Sequence, residues 1–240
     1  MKFNIGRLLL GATMLSGAMY ANAGVIAVFG LNSNANVTAF LNANGHTATN
    51  YGAAAPSAAQ LVGANAVIAL RANGNAAVQS FVQGGGLLIT EWAAAEWALD
   101  IANLLNADGG GNSFIGSNTP VTLTAQGLAL GLGAGLSNPY ADGPRSEFQW
   151  TLSNIGAGVD VLATIPGPLD AIIGGQAGSG YALINSLDWA DGFPSGGSNS
   201  GTWLLNALNV HGDNAVPEPA SLLLVGLGLL GLGFGRRRIG

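Results

Sequence analysis

The side chains best suited to binding or catalysis follow runs of apolar residues that we predict to be buried strands. Arg71 follows the third of these runs, Glu91 the fourth and Asp188 a later one. Because ligands of parallel α/β sheets bind outside the carboxyl ends of the strands, we expect these side chains to meet at one edge of the sheet. The predicted ligand cleft consists of Asn32, Arg71, Glu91, Trp92, Asp188 and Trp189.

This cleft has two interpretations. In the functional one, the two carboxylates act as acid and base on a sugar, or bind a sugar that stacks on Trp92 and Trp189. In the structural one, Arg71 neutralises the two acids and the tryptophans fill the rim of the core. The structural interpretation is the preferred prediction, since ion-pair networks without a catalytic role are common.

Other residues that could carry chemistry are poorly placed. His46 lies at a predicted helix-to-strand junction, and His211 lies beyond the last predicted helix, so neither is positioned as a base. Residues 188–192 contain two acidic residues but lack the further oxygen ligands at regular spacing that a calcium-binding loop needs, so they are weak evidence for calcium binding. Residues 84–86 are three glycines that precede a strand rather than open a helix, unlike a phosphate loop. We therefore predict no metal site, no cofactor and no enzyme activity.

The first part of the chain alternates short apolar strands with amphipathic segments. Predicted strands cover residues 25–29, 46–51, 66–70 and 87–90, and predicted helices cover 34–44, 75–83 and 96–106, with a short helix that starts at Ser57. This alternation predicts an α/β fold, a flavodoxin-like three-layer sandwich with a mainly parallel sheet.

The pattern becomes looser between residues 112 and 168, where short β-like pieces lie between glycine-rich loops. Residues 170–174 and 181–187 predict a pair of strands, residues 188–200 a loop, and residues 201–210 a closing helix.

Composition excludes several classes of function. The chain has no cysteine, so thiol chemistry and thiolate metal sites are excluded. Between residues 24 and 215 the basic side chains are Arg71 and Arg145, against eleven acidic ones. No basic surface can therefore neutralise phosphates, and we predict no nucleic-acid binding.

The predicted α/β body resembles the class I glutamine-amidotransferase-like fold, especially its ThuA-like members. The resemblance covers residues 25–92 and 180–209 and is carried by residues 40–46 (FLNANGH), 82–90 (VQGGGLLIT) and 203–208 (WLLNAL). It implies a nucleophilic cysteine just after the fourth strand, where this chain has Thr90, Glu91 and Trp92. Glutaminase chemistry is therefore excluded.

The amino terminus has the parts of a secretory signal peptide. Lys2 and Arg7 precede an uncharged apolar stretch at residues 8–20, and Ala21 and Ala23 occupy the positions that a signal peptidase reads. We predict that residues 1–23 direct the chain to the Sec machinery and are removed by signal peptidase.

The carboxyl terminus combines a short motif, an apolar span and a basic cluster. The span, residues 220–235, would form a helix of about 24 Å, slightly shorter than a bilayer core. The basic cluster of three arginines that follows the span would place the carboxyl terminus in the cytoplasm by the positive-inside rule. The motif is Pro217, Glu218 and Pro219, and the cluster is Arg236, Arg237 and Arg238.

This tail resembles the PEP-CTERM sorting signal. The resemblance implies processing by an exosortase, a membrane-embedded transpeptidase-like enzyme of Gram-negative bacteria, and a context of exopolysaccharide or biofilm production. The predicted domains are a signal peptide (1–23), an amidotransferase-like domain (24–211), a linker with the motif (212–219) and a transmembrane sorting tail (220–240).

The predicted function is that of an exported, non-catalytic protein, anchored transiently in the inner membrane and then located at the cell surface or in the extracellular matrix. Extracellular polysaccharide is a possible partner. The alternative is a secreted carbohydrate-active hydrolase that uses Glu91 and Asp188.

Overall fold

A computed structural model describes residues 24–108, 112–114, 119–141, 148–150, 154–167, 169–195 and 199–210. The predicted signal peptide, the linker with its Pro-Glu-Pro motif, the predicted transmembrane helix, the arginine cluster and His211 lie outside these residues. Within the described ranges, no helix has the length and apolar character needed to cross a membrane.

The strands, in chain order, are β1 (Val25–Gly30), β2 (Thr47–Asn50), β3 (Ala66–Leu70), β4 (Leu87–Glu91), β5 (Ala107–Asp108), β6 (Asn112–Phe114), β7 (Pro120–Leu123), β8 (Tyr140–Ala141), β9 (Phe148–Trp150), β10 (Asn154–Ile155), β11 (Val159–Ile165), β12 (Leu169–Ala177) and β13 (Gly180–Asn185). The main sheet has the order β2-β1-β3-β4-β13-β12-β11-β7-β8, while β5 pairs with β10 and β6 with β9. The strands predicted in the first ninety residues are confirmed, with small shifts at their ends.

The main sheet is mixed, so the prediction of a mainly parallel sheet was wrong. Strands β2, β1, β3, β4 and β13 pair in parallel, whereas β13, β12, β11, β7 and β8 pair antiparallel. The reason lies in the turn between β12 and β13. Only Gly178 and Ser179 separate these strands, and Gly178 has a left-handed φ of 67°. So short a connection permits only an antiparallel pair.

The helices are α1 (Asn34–Ala43), α2 (Ala76–Gln83), α3 (Ala94–Glu96), α4 (Ala125–Ala129) and α5 (Asn199–Asn209), with 3₁₀ turns at Ala58–Leu61 and Trp189–Ser195. Both faces of the sheet carry a hydrophobic core. Ile26 and Val28 of β1 share one core with α1 and α5, while Ala27 and Phe29 share the other with α2. The alternation of side chains along a strand produces this arrangement.

The helix predicted over residues 96–106 is shorter than expected. After α3 the chain widens into a π-helical turn, Trp97–Ile101, in which the Ala102 amide donates to the Trp97 carbonyl. Asn103 then adopts a left-handed φ of 47°, which ends the helical path.

Candidate functional site

The carboxyl ends of four neighbouring strands form the candidate site. Strands β1, β3, β4 and β13 are consecutive in the parallel part of the sheet, so the residues that follow them lie at the same edge. The residues at this edge are Asn32 after β1, Arg71 after β3, Glu91 and Trp92 at the end of β4, and Asp188 and Asp191 after β13.

Arg71 connects three carboxyl groups. Its Nη2 donates to Oδ1 of Asp188 and, at 3.1 Å, to Oδ2 of Asp191, and its Nε lies 3.4 Å from Oε1 of Glu91. Burial lowers the pKa of Arg71, but the hydrogen bond to Asp188 and the three negative neighbours outweigh burial and raise it. Arg71 is therefore a permanent cation at the centre of the site.

Glu91 is a buried acid with an unusual environment. Its side chain is 0% exposed, and neither carboxyl oxygen accepts a hydrogen bond from the described residues. Burial, followed by the hydrogen bond to Asp188 and the charge of that residue, raises the pKa of Glu91 well above its ordinary value, while Arg71 opposes the shift. In its protonated form Glu91 has an O–H group that can donate to Asp188. The surroundings of Glu91 therefore favour its uncharged form.

Trp92 lies beneath Arg71. The guanidinium carbon of Arg71 is 4.1 Å from the centre of the Trp92 ring, a cation–π contact. The Arg71 amide donates to the Glu91 carbonyl, and the Trp92 amide donates to the carbonyl of Leu187. The first bond joins the ends of β3 and β4, and the second joins the end of β4 to the segment that follows β13.

Asp191 joins the site, although the sequence suggested it only as a weak calcium ligand. It accepts from Nδ2 of Asn32 through Oδ1 and from Arg71 through Oδ2. It lies on the 3₁₀ turn Trp189–Ser195, which places it beside Asp188. The three-residue spacing between Asp188 and Asp191 was the only feature of the sequence that could have indicated that Asp191 joins the site. Among the described residues no group of three or more His, Cys, Asp or Glu side chains could hold a metal ion.

Trp189 lies in the core, where it cannot stack on a ligand. It is 1% exposed, its Nε1 donates to the Thr90 carbonyl at 2.9 Å, and its ring packs 5.4 Å from the ring of Trp203. This placement matches the structural interpretation of that tryptophan. His46 immediately precedes β2, so it lies at the amino ends of the parallel strands, whereas Glu91 lies at their carboxyl ends. Burial lowers the pKa of His46.

Residues 215–238 match the family described as the PEP-CTERM protein-sorting motif. The match covers the predicted motif, the apolar span and the arginine cluster. A PEP-CTERM motif implies export, transient anchoring in the membrane and processing by an exosortase. A search of curated protein sequences found no match to this chain.

The body has a ThuA-like fold. It is similar to a ThuA-like protein from Bacteroides uniformis, with a TM-score of 0.61 and 14% identity over 81% of this chain and 94% of that one. It is also similar to a cytoplasmic protein from Salmonella typhimurium LT2 (TM-score 0.59, 12% identity, 77% of this chain and 98% of that one). A third similar structure is a β-galactosidase from Bacillus circulans (TM-score 0.53, 14% identity, 78% of this chain and 31% of that one). At these identities the likeness concerns the fold alone, and it bears out the predicted ThuA-like body.

Proposed function

We propose that this chain is an exported, non-catalytic protein of the cell surface or extracellular matrix, released to its site of action by an exosortase. The observation that carries the proposal is the sorting motif at residues 215–238. In this proposal residues 1–23 are the signal peptide, and the tail holds the body outside the inner membrane until it is processed.

The candidate site supports a role without catalysis. A general acid must reach the atom that it protonates, and Glu91 is fully buried beneath its neighbours. Asp188 is 4% exposed and already pairs with Arg71, so it is poorly placed as a nucleophile or base. The chain also lacks the cysteine of amidotransferases.

One observation favours the alternative, a secreted glycoside hydrolase. Burial and the neighbouring Asp188 raise the pKa of Glu91, as the acid of a glycosidase requires. A glycosidase screen of the protein and its Glu91→Gln variant separates the two proposals. Turnover of a polysaccharide that Glu91→Gln abolishes would establish the hydrolase, and turnover that survives the substitution would exclude Glu91 as its acid.

The sorting proposal is tested in a host that contains an exosortase. Changing Pro217, Glu218 and Pro219 to alanine should leave the chain in the membrane with its tail attached, because an extended, accessible segment is lost. The matched control changes Gly212, Asp213 and Asn214 to alanine and should be processed normally. Immunoblotting of the membrane and the medium provides the measurement. Normal release of the motif variant into the medium would refute the proposal.

The proposed orientation has a separate test. Because the chain has no cysteine, Ile239→Cys introduces a single thiol beside the arginine cluster. In the motif variant, a membrane-impermeant maleimide should label this thiol only after the inner membrane is opened. Labelling of intact spheroplasts would place the carboxyl terminus outside and contradict the positive-inside assignment.

A further inference from the structure

We propose that the exposed side of the Arg71 cluster binds a neutral, hydroxyl-rich ligand such as a segment of uncharged polysaccharide. The binding residues are Asn32, Arg71, Trp92 and Asp191, with Leu31 at the rim. The inference rests on the proposed function in one respect: an exported matrix protein would meet such polymers outside the cell.

Arg71 has hydrogen-bond donors that the described residues do not use. Its Nη2 serves Asp188 and Asp191, and its Nε points toward Glu91. Its Nη1 meets no acceptor in the described part of the chain, and the side chain is 22% exposed. Nη1 carries two N–H groups in a fixed plane, which suits a hydroxyl or carbonyl oxygen of a ligand.

Asp191 supplies acceptors next to these donors. Its side chain is 28% exposed, and its oxygens accept one bond from Asn32 and one from Arg71. A carboxylate has about four acceptor positions, so two remain for ligand hydroxyl groups. A donor pair and an acceptor pair at adjacent positions match the alternating donors and acceptors of a sugar ring.

Apolar surface lies beside these polar groups. Trp92 is partly exposed, and Leu31, which follows β1 directly, is 72% exposed. The Leu31 amide donates to the Leu70 carbonyl, one residue before Arg71, so Leu31 is held close to the cluster. Indole and aliphatic groups provide contacts for the C–H face of a sugar.

The charges favour a neutral ligand. Arg71 pairs with two carboxylates, Asp188 and Asp191, so the cluster has an excess of negative charge that repels an anion. An ammonium group cannot accept from the N–H groups of Arg71 Nη1, so it would leave these donors unused. A neutral ligand uses the donors and acceptors without either cost.

The left-handed backbone of Arg71 and Trp92 fixes the site before a ligand arrives. Non-glycine residues in this conformation cost about 1–3 kcal/mol each and persist where the surroundings hold them, often at ligand clamps. The ion pairs with Asp188 and Asp191, the contact with Glu91 and the stacking contact hold Arg71 in place, so little side-chain entropy remains to be lost on binding.

The experiment uses the full-length chain in detergent, immobilised, with three classes of probe: neutral glucans, uronate-containing polymers and amino-sugar polymers. We expect a neutral glucan to bind. Trp92→Ala and Asp191→Ala should weaken binding at least tenfold, and Leu31→Ala should weaken it about threefold. The matched control Val62→Ala removes an aliphatic side chain that is 82% exposed and precedes β3, at the other edge of the sheet, and should not change the affinity.

Circular dichroism melting identifies any variant that fails to fold, and Leu31→Ala, at an exposed position, keeps the test valid if the others unfold. Binding of uronate or amino-sugar polymers alone, binding that Leu31→Ala and Trp92→Ala leave unchanged, or no binding to any neutral glucan would overturn the proposal. The variant with alanines at residues 217–219 should bind the glucan with wild-type affinity, so a failure of sorting and a failure of binding are distinguishable.

Discussion

Arg71 and Trp92 stack on one another although both have a left-handed backbone. Their φ angles are 52° and 46°, and the guanidinium carbon lies 4.1 Å from the centre of the indole ring. Each residue directly follows a buried residue of a parallel strand, so the chain turns sharply as it leaves the sheet. The turn directs the cation toward the carboxyl groups instead of into solvent.

Glu91→Gln should remove a pH dependence of stability. Because the folded state raises the pKa of Glu91, its contribution is complete below the ordinary pKa of a glutamate and is lost as pH rises toward the folded value. One proton corresponds to about 1.4 kcal/mol per pH unit within that range. The variant should melt close to the wild type near pH 4 and at a higher temperature near pH 8.

Differential scanning fluorimetry from pH 4 to 8 measures this difference. The control Glu96→Gln changes an exposed glutamate and should follow the wild type. A Glu91→Gln variant whose disadvantage grows with pH would show that Glu91 is ionised in the folded protein.

Arg71→Met should destabilise the protein by about 2–4 kcal/mol, somewhat below the usual cost of breaking a buried ion pair, because the guanidinium is partly exposed. The loss leaves Asp188 and Asp191 without their cation. Adding Glu91→Gln should recover part of this loss at neutral pH and little near pH 4, because the substitution removes the cost that the raised pKa of Glu91 imposes as pH rises. Urea unfolding of the single and double variants at pH 4 and pH 7 provides the measurement, and an equal recovery at both pH values would contradict the raised pKa of Glu91.

Gly30→Ala should be far more damaging than Gly45→Ala. A Cβ on Gly30 would lie 1.9 Å from the Leu70 carbonyl oxygen, and its φ of 138° is strained for alanine. Gly45 also has a left-handed φ, 87°, but no atom lies within 4 Å of an added Cβ. We expect a loss of about 1–2 kcal/mol at Gly45 and more than about 3 kcal/mol at Gly30. Equal losses in thermal melting would show that β1 and β3 are not so closely packed at their ends.

Trp189→Phe should lower stability without affecting ligand binding. The substitution removes the bond from Nε1 to the Thr90 carbonyl and part of the ring that contacts Trp203, a loss of about 1–3 kcal/mol. Because Trp189 is buried, glucan affinity should stay within twofold of the wild type when the folded fraction is equal. A selective loss of affinity would instead support the stacking role that the sequence allowed.

The sequence predicted the site residues that follow strands better than it predicted their surroundings. Arg71 and Glu91 could be placed because each follows a continuous apolar run, and such runs are reliable signals of buried parallel strands. Asp191 was undervalued because residues 188–200 have no hydrophobic period, and the 3₁₀ turn there depends on tertiary contacts of Phe193 with Phe40 and Trp189.

The second half of the sheet was predicted only in part. Residues 170–174 and 181–187 were predicted as a strand pair, which corresponds to β12 and β13, but the pairing of the other strands was not predicted. Strands such as Tyr140–Ala141 have two residues, too few to show alternation. Strand β11 also contains register irregularities opposite β12, which break the period of two on which strand prediction relies.

The place of β13 in the sheet has a consequence for the order of folding. Strand β4 ends at Glu91, but its second neighbour in the sheet begins only at Gly180. Until β13 pairs with β4, the parallel half of the sheet therefore has an open lateral edge at β4 with unpaired backbone groups. Asp188 follows β13 closely, so the strand that closes this edge also brings the acid beside Glu91 into place. Burial of the ionisable cluster is thus coupled to the pairing of β13 with β4, and an unpaired β4 would be a site for aggregation.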